Sequence, residues 1–138
     1  MFSFSCKTDG KSIVDGSNFK ETILSCYKAS NPGQIIALGL NCLPAKTMTP
    51  FIKSISREEI GVYIPIVAYP NSGEIYSKES SAWTPRQDDY SAEEYVEEWL
   101  NLGVCFIGGC CRTTSQDIQK ITKEVKKWKS KQPSREKD

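Results

Sequence analysis

The 138-residue sequence predicts an α/β fold built on a parallel sheet. Short apolar runs rich in β-branched and aromatic residues alternate with stretches of helical periodicity, four times along the chain. The residues with metal-binding or acid-base chemistry fall in the segments that follow these runs, which a parallel sheet gathers on one edge.

The first strand is expected over residues 2–6. Asp9-Gly10 and Asp15-Gly16 lead from it to a helix whose Phe19, Ile23, Leu24 and Tyr27 share one face. Asn31-Pro32-Gly33 closes that helix. A second strand over 35–40 ends at Asn41-Cys42. The next helix is expected to start with Thr49 as N-cap and Pro50 at its first position, burying Phe51, Ile52 and Ile55. A third strand spans 63–69, with Pro65 marking its start. A long polar loop follows, opening with Pro70-Asn71-Ser72-Gly73-Glu74, and loops of that length in compact domains carry function or are disordered. Ser91-Ala92-Glu93-Glu94 is a capping box for a helix that turns Tyr95, Val96, Trp99 and Leu100 inward, with its glutamates on a solvated face. The fourth strand covers 104–107, and the last helix runs from about Ser115 with Ile118, Ile121, Val125 and Trp128 at helical spacing until Pro133 stops it.

Composition narrows the function. With 38% hydrophobic residues and a net charge of +1, the chain reads as one globular domain over 1–130, followed by a disordered basic tail over 131–138. The local positive excess lies between Lys123 and Lys137, so a general nucleic-acid binder is not expected. No run approaches the roughly 18 apolar residues of a membrane span, and the start lacks the pattern of a secretory signal. The expected compartment is the cytosol, where six cysteines do not imply a disulfide framework.

The chemistry concentrates in Gly-Gly-Cys-Cys-Arg-Thr-Thr at 108–114. Neighbouring side chains on an extended strand face opposite ways, so Cys110 and Cys111 can serve one ion only where the backbone turns, which Gly108 and Gly109 permit. Cys42 occupies the equivalent place after the second strand, 68 residues before Cys110. Three thiolates with one open position describe a catalytic zinc site more than a closed structural one, while packing of small buried thiols and dithiol redox chemistry stand as alternatives. Cys6 is expected to pack at the mouth of the fold, and Cys26 and Cys105 in the core. Trp83, Trp99 and Trp128 are expected to pack internally, although Trp83, in the long loop, also offers a face to a cation. Arg112 is expected to anchor its loop or meet a carboxylate.

Leu-Gly-Leu-Asn-Cys (38–42), Tyr-Pro-Asn-Ser-Gly-Glu (69–74) and Ile-Gly-Gly-Cys-Cys-Arg-Thr-Thr (107–114), in this order and spacing, resemble the zinc-dependent homocysteine S-methyltransferases. The start, Phe2-Ser3-Phe4-Ser5-Cys6, is similar to that family's fifth strand, and the resemblance extends to about Trp128. It implies four βα units corresponding to the C-terminal half of a (β/α)8 barrel, with Cys42, Cys110 and Cys111 holding Zn2+ at the mouth. It further implies homocysteine bound as a thiolate, attack on the methyl group of a sulfonium donor, and release of methionine. The 69–74 loop is more similar to the S-methylmethionine-using branch, with S-adenosylmethionine as a second donor, than to the betaine-using one. Asn41 and Asn71 adjoin the site and are expected either to cap turns or to contact the metal ligands or substrate, and Glu74 either to hold its loop or to face the donor's sulfonium; all three are candidate substrate contacts. A full barrel has eight units and about 250 residues, and no Asp-Gly-Gly motif of the family's first half occurs here. The chain is therefore expected to be a fragment of a longer protein or a truncated paralogue, self-associating or pairing with an N-terminal half. The alternative functions are a non-catalytic zinc-binding or dimerising half barrel and a betaine-dependent methyltransferase.

Overall fold

A computed structural model describes residues 1–85 and 91–133. The chain runs β1 (Phe2–Ser5), α1 (Phe19–Ala29), β2 (Leu38–Pro44), α2 (Ala45–Ser54), α3 (Arg57–Ile60) and β3 (Ile66–Asn71). It continues through β4 (Ile75–Ser77), β5 (Ala82–Thr84), a 3₁₀ turn (Ala92–Tyr95), α4 (Val96–Asn101), β6 (Val104–Ile107) and α5 (Ser115–Lys131). Strands β1, β2, β3 and β6 form one parallel sheet in that order, and β4 and β5 form a separate antiparallel hairpin. The α/β class with a parallel sheet is thus as expected. Parallel pairing requires each connection to cross back over the sheet, and the helices make those crossings.

Register explains where the core lies. Leu38, Leu40, Ile66, Ala68 and Val104 share one face of the sheet and meet Phe19, Ile23, Met48, Phe51, Ile52 and Trp99 from the helices. The Phe19 ring sits edge-on to both Phe4 and Phe51, at 6.5 and 5.1 Å between centroids, a favoured arrangement for aromatic quadrupoles. The other face is polar toward the carboxyl ends of the strands, where Ser3, Ser5, Asn41 and Tyr69 are hydrogen-bonded together. At the centre β2 and β3 approach so closely that a Cβ on Gly39 would lie 1.8 Å from the Val67 carbonyl oxygen. Only glycine fits there.

Several elements depart from the sequence reading. β2 starts at Leu38 and runs on to Pro44, so Cys42 lies within the strand's irregular end. Helix α2 starts at Ala45, four residues before the expected N-cap. Pro50 therefore lies inside it, and Thr49 is buried, its hydroxyl accepting a 3.0 Å hydrogen bond from Trp99 Nε1. Burial of the Trp99 indole and its N–H partner outweighs the local preference of Thr-Pro for a helix start. β3 starts at Ile66, just after Pro65, where a ladder N–H is not needed. The long loop contains the β4–β5 hairpin, and its residues 86–90 lie outside the described ones.

The capping box at Ser91 is present, with Glu94 as its partner. The glutamates after it do more than face water: Glu93, Glu97 and Glu98 pair with Lys120, Lys131 and Lys53, tying α4 and its leading turn to α5 and α2. α5 reaches Lys131, the residue where the tail over 131–138 is expected to begin, and residues 134–138 of that segment lie outside the described ones. Tyr27 and Ile118, expected inside, are 38% and 39% exposed among the described residues. Cys105, expected in the core, is exposed at the edge strand with its Sγ 3.0 Å from the Tyr63 hydroxyl, while Cys26 is half-buried. No helix among the described residues is long and apolar enough to cross a membrane.

Candidate metal centre

Two strand ends present the thiols. At the end of β2, Cys42 adopts φ 53°, a left-handed conformation that a residue with a Cβ takes only under constraint. It falls where the β2–β3 register shifts, between Asn41 and Pro44. The kink turns Cys42 away from the alternation of the strand. Its carbonyl accepts a 3.0 Å hydrogen bond from Asn71 Nδ2, which fixes the kink to the end of β3.

After β6 the chain turns through Gly108 and Gly109. A Cβ on Gly109 would meet Thr113 Oγ1 at 2.6 Å and Thr113 Cβ at 2.8 Å, so the turn closes only with glycine there. Thr113 seals it by donating its backbone N–H to the Cys110 carbonyl at 3.1 Å, and its hydroxyl bonds the same oxygen. The turn is stitched to the extension of β3. Cys110 N–H donates to Pro70 O at 2.8 Å and Ser72 N–H to Cys111 O at 3.1 Å.

These two supports bring Cys42, Cys110 and Cys111 together, with all three sulfur atoms within 4.8 Å of one another and Cys42 Sγ 3.4 Å from Cys111 Sγ. Tetrahedral zinc with bonds of about 2.3 Å spaces its sulfur ligands roughly 3.8 Å apart. The Cys42–Cys111 pair meets that spacing after a shift of a few tenths of an ångström, and no sulfur pair is more than about 1 Å beyond it. Cys42 and Cys110 are half-buried and Cys111 is exposed, so one side stays open to a further ligand. All six cysteines are free thiols.

The electrostatics divide the thiols. Burial pushes the Cys42 pKa up, but hydrogen bonds from the Cys110 and Cys111 thiols, the Cys111 backbone and the Asn71 amide outweigh it and hold Cys42 below the ordinary thiol value. Cys110 is pushed up to about 11, first by burial and then by its bond and proximity to Cys42. Of the two, Cys42 is the thiol that ionises more readily and Cys110 the one that holds its proton longer. Cys6, by contrast, is buried after β1 and pushed up to about 12 by burial and the Asp9 charge, which suits packing rather than ligation. Asp9 accepts the backbone N–H groups of Lys11 and Ser12, and these bonds lower its pKa to about 2.

A cleft of about 550 Å³ opens beside Cys42, lined also by Asn71, Glu74, Tyr76 and Trp83. Asn71 faces both ways, donating to Cys42 O and accepting from Gly73 N–H at 2.9 Å. Glu74 is bound bidentately by Arg112, Nε to Oε2 at 2.6 Å and Nη2 to Oε1 at 3.2 Å, and the same guanidinium lies 5.6 Å from the centre of the Trp83 ring. Arg112 thus meets a carboxylate, one of its two expected roles. Trp83 is 37% exposed on the hairpin, whereas Trp99 is fully buried and Trp128 half-buried with its indole N–H on Asn101. Asn41 follows the polar face instead of the thiols: its Nδ2 donates to Ser3 Oγ at 2.9 Å and its Oδ1 accepts from Ser5 Oγ at 3.0 Å. Sequence reasoning missed Ser3, Ser5 and Tyr69 as its partners. The Ser-Phe-Ser alternation of β1 was the available signal, since it gives that strand one apolar and one polar face.

Fold and site together define a class: an α/β protein that presents three free, convergent thiols at the carboxyl edge of a parallel sheet. The chain belongs to the homocysteine S-methyltransferase family, whose model matches residues 1–125. It is 37% identical over 123 residues to a betaine-homocysteine S-methyltransferase of Drosophila melanogaster, covering 85% of this chain and 36% of that protein. It is 36% identical over 126 residues to homocysteine S-methyltransferase 2 of Arabidopsis thaliana, covering 90% of this chain and 36% of the relative. The metallated form of the homocysteine methyltransferase MmuM from Escherichia coli superposes with a TM-score of 0.63 at 28% identity, over 88% of this chain and 34% of that one. The chain spans about a third of the length of these relatives.

Proposed function

We propose that the chain is the zinc-binding C-terminal half of a homocysteine S-methyltransferase that uses a sulfonium donor, S-methylmethionine or S-adenosylmethionine. The carrying observation is the convergence of Cys42, Cys110 and Cys111 on the rim of an open cleft. Zinc held by these thiolates would supply an open coordination position and the Lewis acidity that keeps a substrate thiol ionised near neutral pH. In the transfer, the homocysteine sulfur bonds the donor methyl carbon, the old carbon–sulfur bond breaks, and its electron pair stays on the donor as a neutral thioether. The chain contains no histidine, and this exchange needs no general base once the thiol is ionised. Asn71 holds Cys42 in place beside the cleft, Glu74, paired with Arg112, forms part of the wall that would face the donor, and Asn41 with its hydroxyl neighbours offers polar contacts to the amino-acid end of a substrate. Six free thiols suit a reducing compartment such as the cytosol.

A second reading is favoured by two observations: the chain spans about a third of the length of the relatives named above, and among the described residues β1 and β6 are each paired on one side only. In that reading residues 1–130 form four units of an eight-unit barrel, bind zinc without turnover, and associate with an N-terminal half or a second copy through those edges.

Methionine formation from homocysteine, measured with S-methylmethionine, S-adenosylmethionine and betaine in turn, separates these readings. Turnover with a sulfonium donor supports the first, zinc binding without turnover the second, and turnover with betaine alone reassigns the donor. Absence of stoichiometric zinc, or zinc retained after Cys42→Ser, Cys110→Ser and Cys111→Ser together, would sink the metal assignment.

A further inference from the structure

Arg112 follows the cysteine pair directly and stands at φ 63°, a left-handed conformation that costs energy for any residue with a Cβ. The pair it forms with Glu74 is bidentate and Glu74 is only partly exposed, a geometry that holds both side chains in one place. What it does is close a ring of contacts. Arg112 grips both oxygens of Glu74, Glu74 Oε2 accepts Ser72 Oγ at 3.0 Å, and Ser72 N–H donates to the carbonyl of Cys111, which is bonded to Arg112. The guanidinium carbon also lies 5.6 Å from the centre of the Trp83 ring, and Trp83 packs on Tyr76 across the β4–β5 hairpin with ring centroids 5.3 Å apart. One side chain therefore touches the turn that carries two thiols and the aromatic wall of the cleft.

We infer that Arg112 is a positioning residue: through Glu74 and Trp83 it latches the Cys110–Cys111 turn to the β4–β5 hairpin, so the thiol cluster and the cleft wall are ordered as one unit. This rests on the reading of the cluster as a metal centre. A planar fork is required, because a lysine ammonium cannot bond both carboxylate oxygens in parallel while staying beside the Trp83 ring. Substitutions that break the ring should loosen metal binding without removing any ligand.

The test is zinc affinity of the full chain by competition with a chromogenic chelator, with cobalt substitution reporting thiolate coordination through its charge-transfer band. Glu74→Gln and Arg112→Gln are each expected to weaken zinc by roughly 10- to 100-fold, the range for groups that orient ligands from outside the coordination sphere. The double variant should be no weaker than the worse single one, since both break the same ring. Arg112→Lys should recover only part of the loss. Arg112→Gly, which relieves the backbone but removes the latch, should remain weak. Variants with native circular dichroism that bind zinc and shape the cobalt spectrum as the wild type does would overturn this inference alone, and near-isosteric Glu74→Gln supplies that test if the Arg112 variants misfold. A wild-type chain that takes up no zinc would overturn the metal reading as well.

Discussion

The two arms of the thiol cluster reach the same point by opposite means. Cys42 sits on β2, which is gripped by β1 on one side and β3 on the other, and its side chain is aimed by a strained left-handed residue inside a strand. Cys110 and Cys111 follow the edge strand β6, where a glycine turn bends easily and hydrogen bonds to Pro70 and Ser72 give it a fixed place. The contrast separates a stiff arm from an adjustable one. Zinc binding would draw on the turn for the shift from 3.4 Å toward its sulfur spacing, because Cys42 is tied to β2 and, through Asn71, to the end of β3.

The largest expected effect breaks the stiff arm. Gly39→Ala drives a Cβ into the Val67 carbonyl, where no flexible side chain can give way, and should cost about 3 kcal/mol or more. Chemical denaturation reads this directly, and a wild-type midpoint would refute the close approach of β2 and β3. Next, Gly109→Ala meets Thr113 and should cost about 1–3 kcal/mol while weakening zinc binding. Calorimetry and metal titration check both parts, and unchanged metal affinity would mean that the turn does not aim the thiols. A smaller effect compares two replacements of the same ligand. Cys42→Gly and Cys42→Ala both remove the thiol, yet the glycine variant should be more stable by about 1 kcal/mol because it alone adopts φ 53° freely. Equal midpoints would remove the claim of strain.

The last prediction concerns pH in the metal-free chain. The Cys42 thiol ionises below its ordinary value of 9.0, so between its folded and ordinary pKa the native chain holds fewer protons than the unfolded one, and stability rises with pH there. Cys110 acts in the other direction. With its pKa near 11, the native chain keeps a proton that the unfolded chain loses, and stability falls as pH climbs past 9. Alkylation followed by mass spectrometry should show Cys42 reacting at lower pH than Cys110, with the gap narrowed by Asn71→Ala. The reverse order would contradict the assignment of the charge to Cys42.

The sequence made much of this legible. The alternation of apolar runs and helical stretches locates four parallel strands, and the turn residues around Cys42 and the Gly-Gly-Cys-Cys stretch place the thiols on one edge. What it concealed depended on distant partners. The start of α2 at Ala45 follows from Thr49 being committed to Trp99, 50 residues away, against the local signal for an N-cap. The hairpin was written in Ile75-Tyr76 and Ala82-Trp83-Thr84, two short β-rich pieces whose turn lacks the Asn-Gly or Asp-Gly signature. The ring through Glu74 and Arg112 joins residues 38 apart and has no local signal at all.

The overhang of β3 past its last register with β6 acts as a ruler. Between Ala68 and Ser72 the main chain makes contacts to Gly108, Cys110, Cys111 and, through Asn71, Cys42, so each step along this segment sets one coordinate of the cluster. Lengthening or shortening it by a single residue would throw every thiol out of alignment at once. The tip of the hairpin, between Ser77 and Ala82, makes none of these contacts. Its length and chemistry are free to change, and with them the upper wall of the cleft, while the measuring segment below stays as it is.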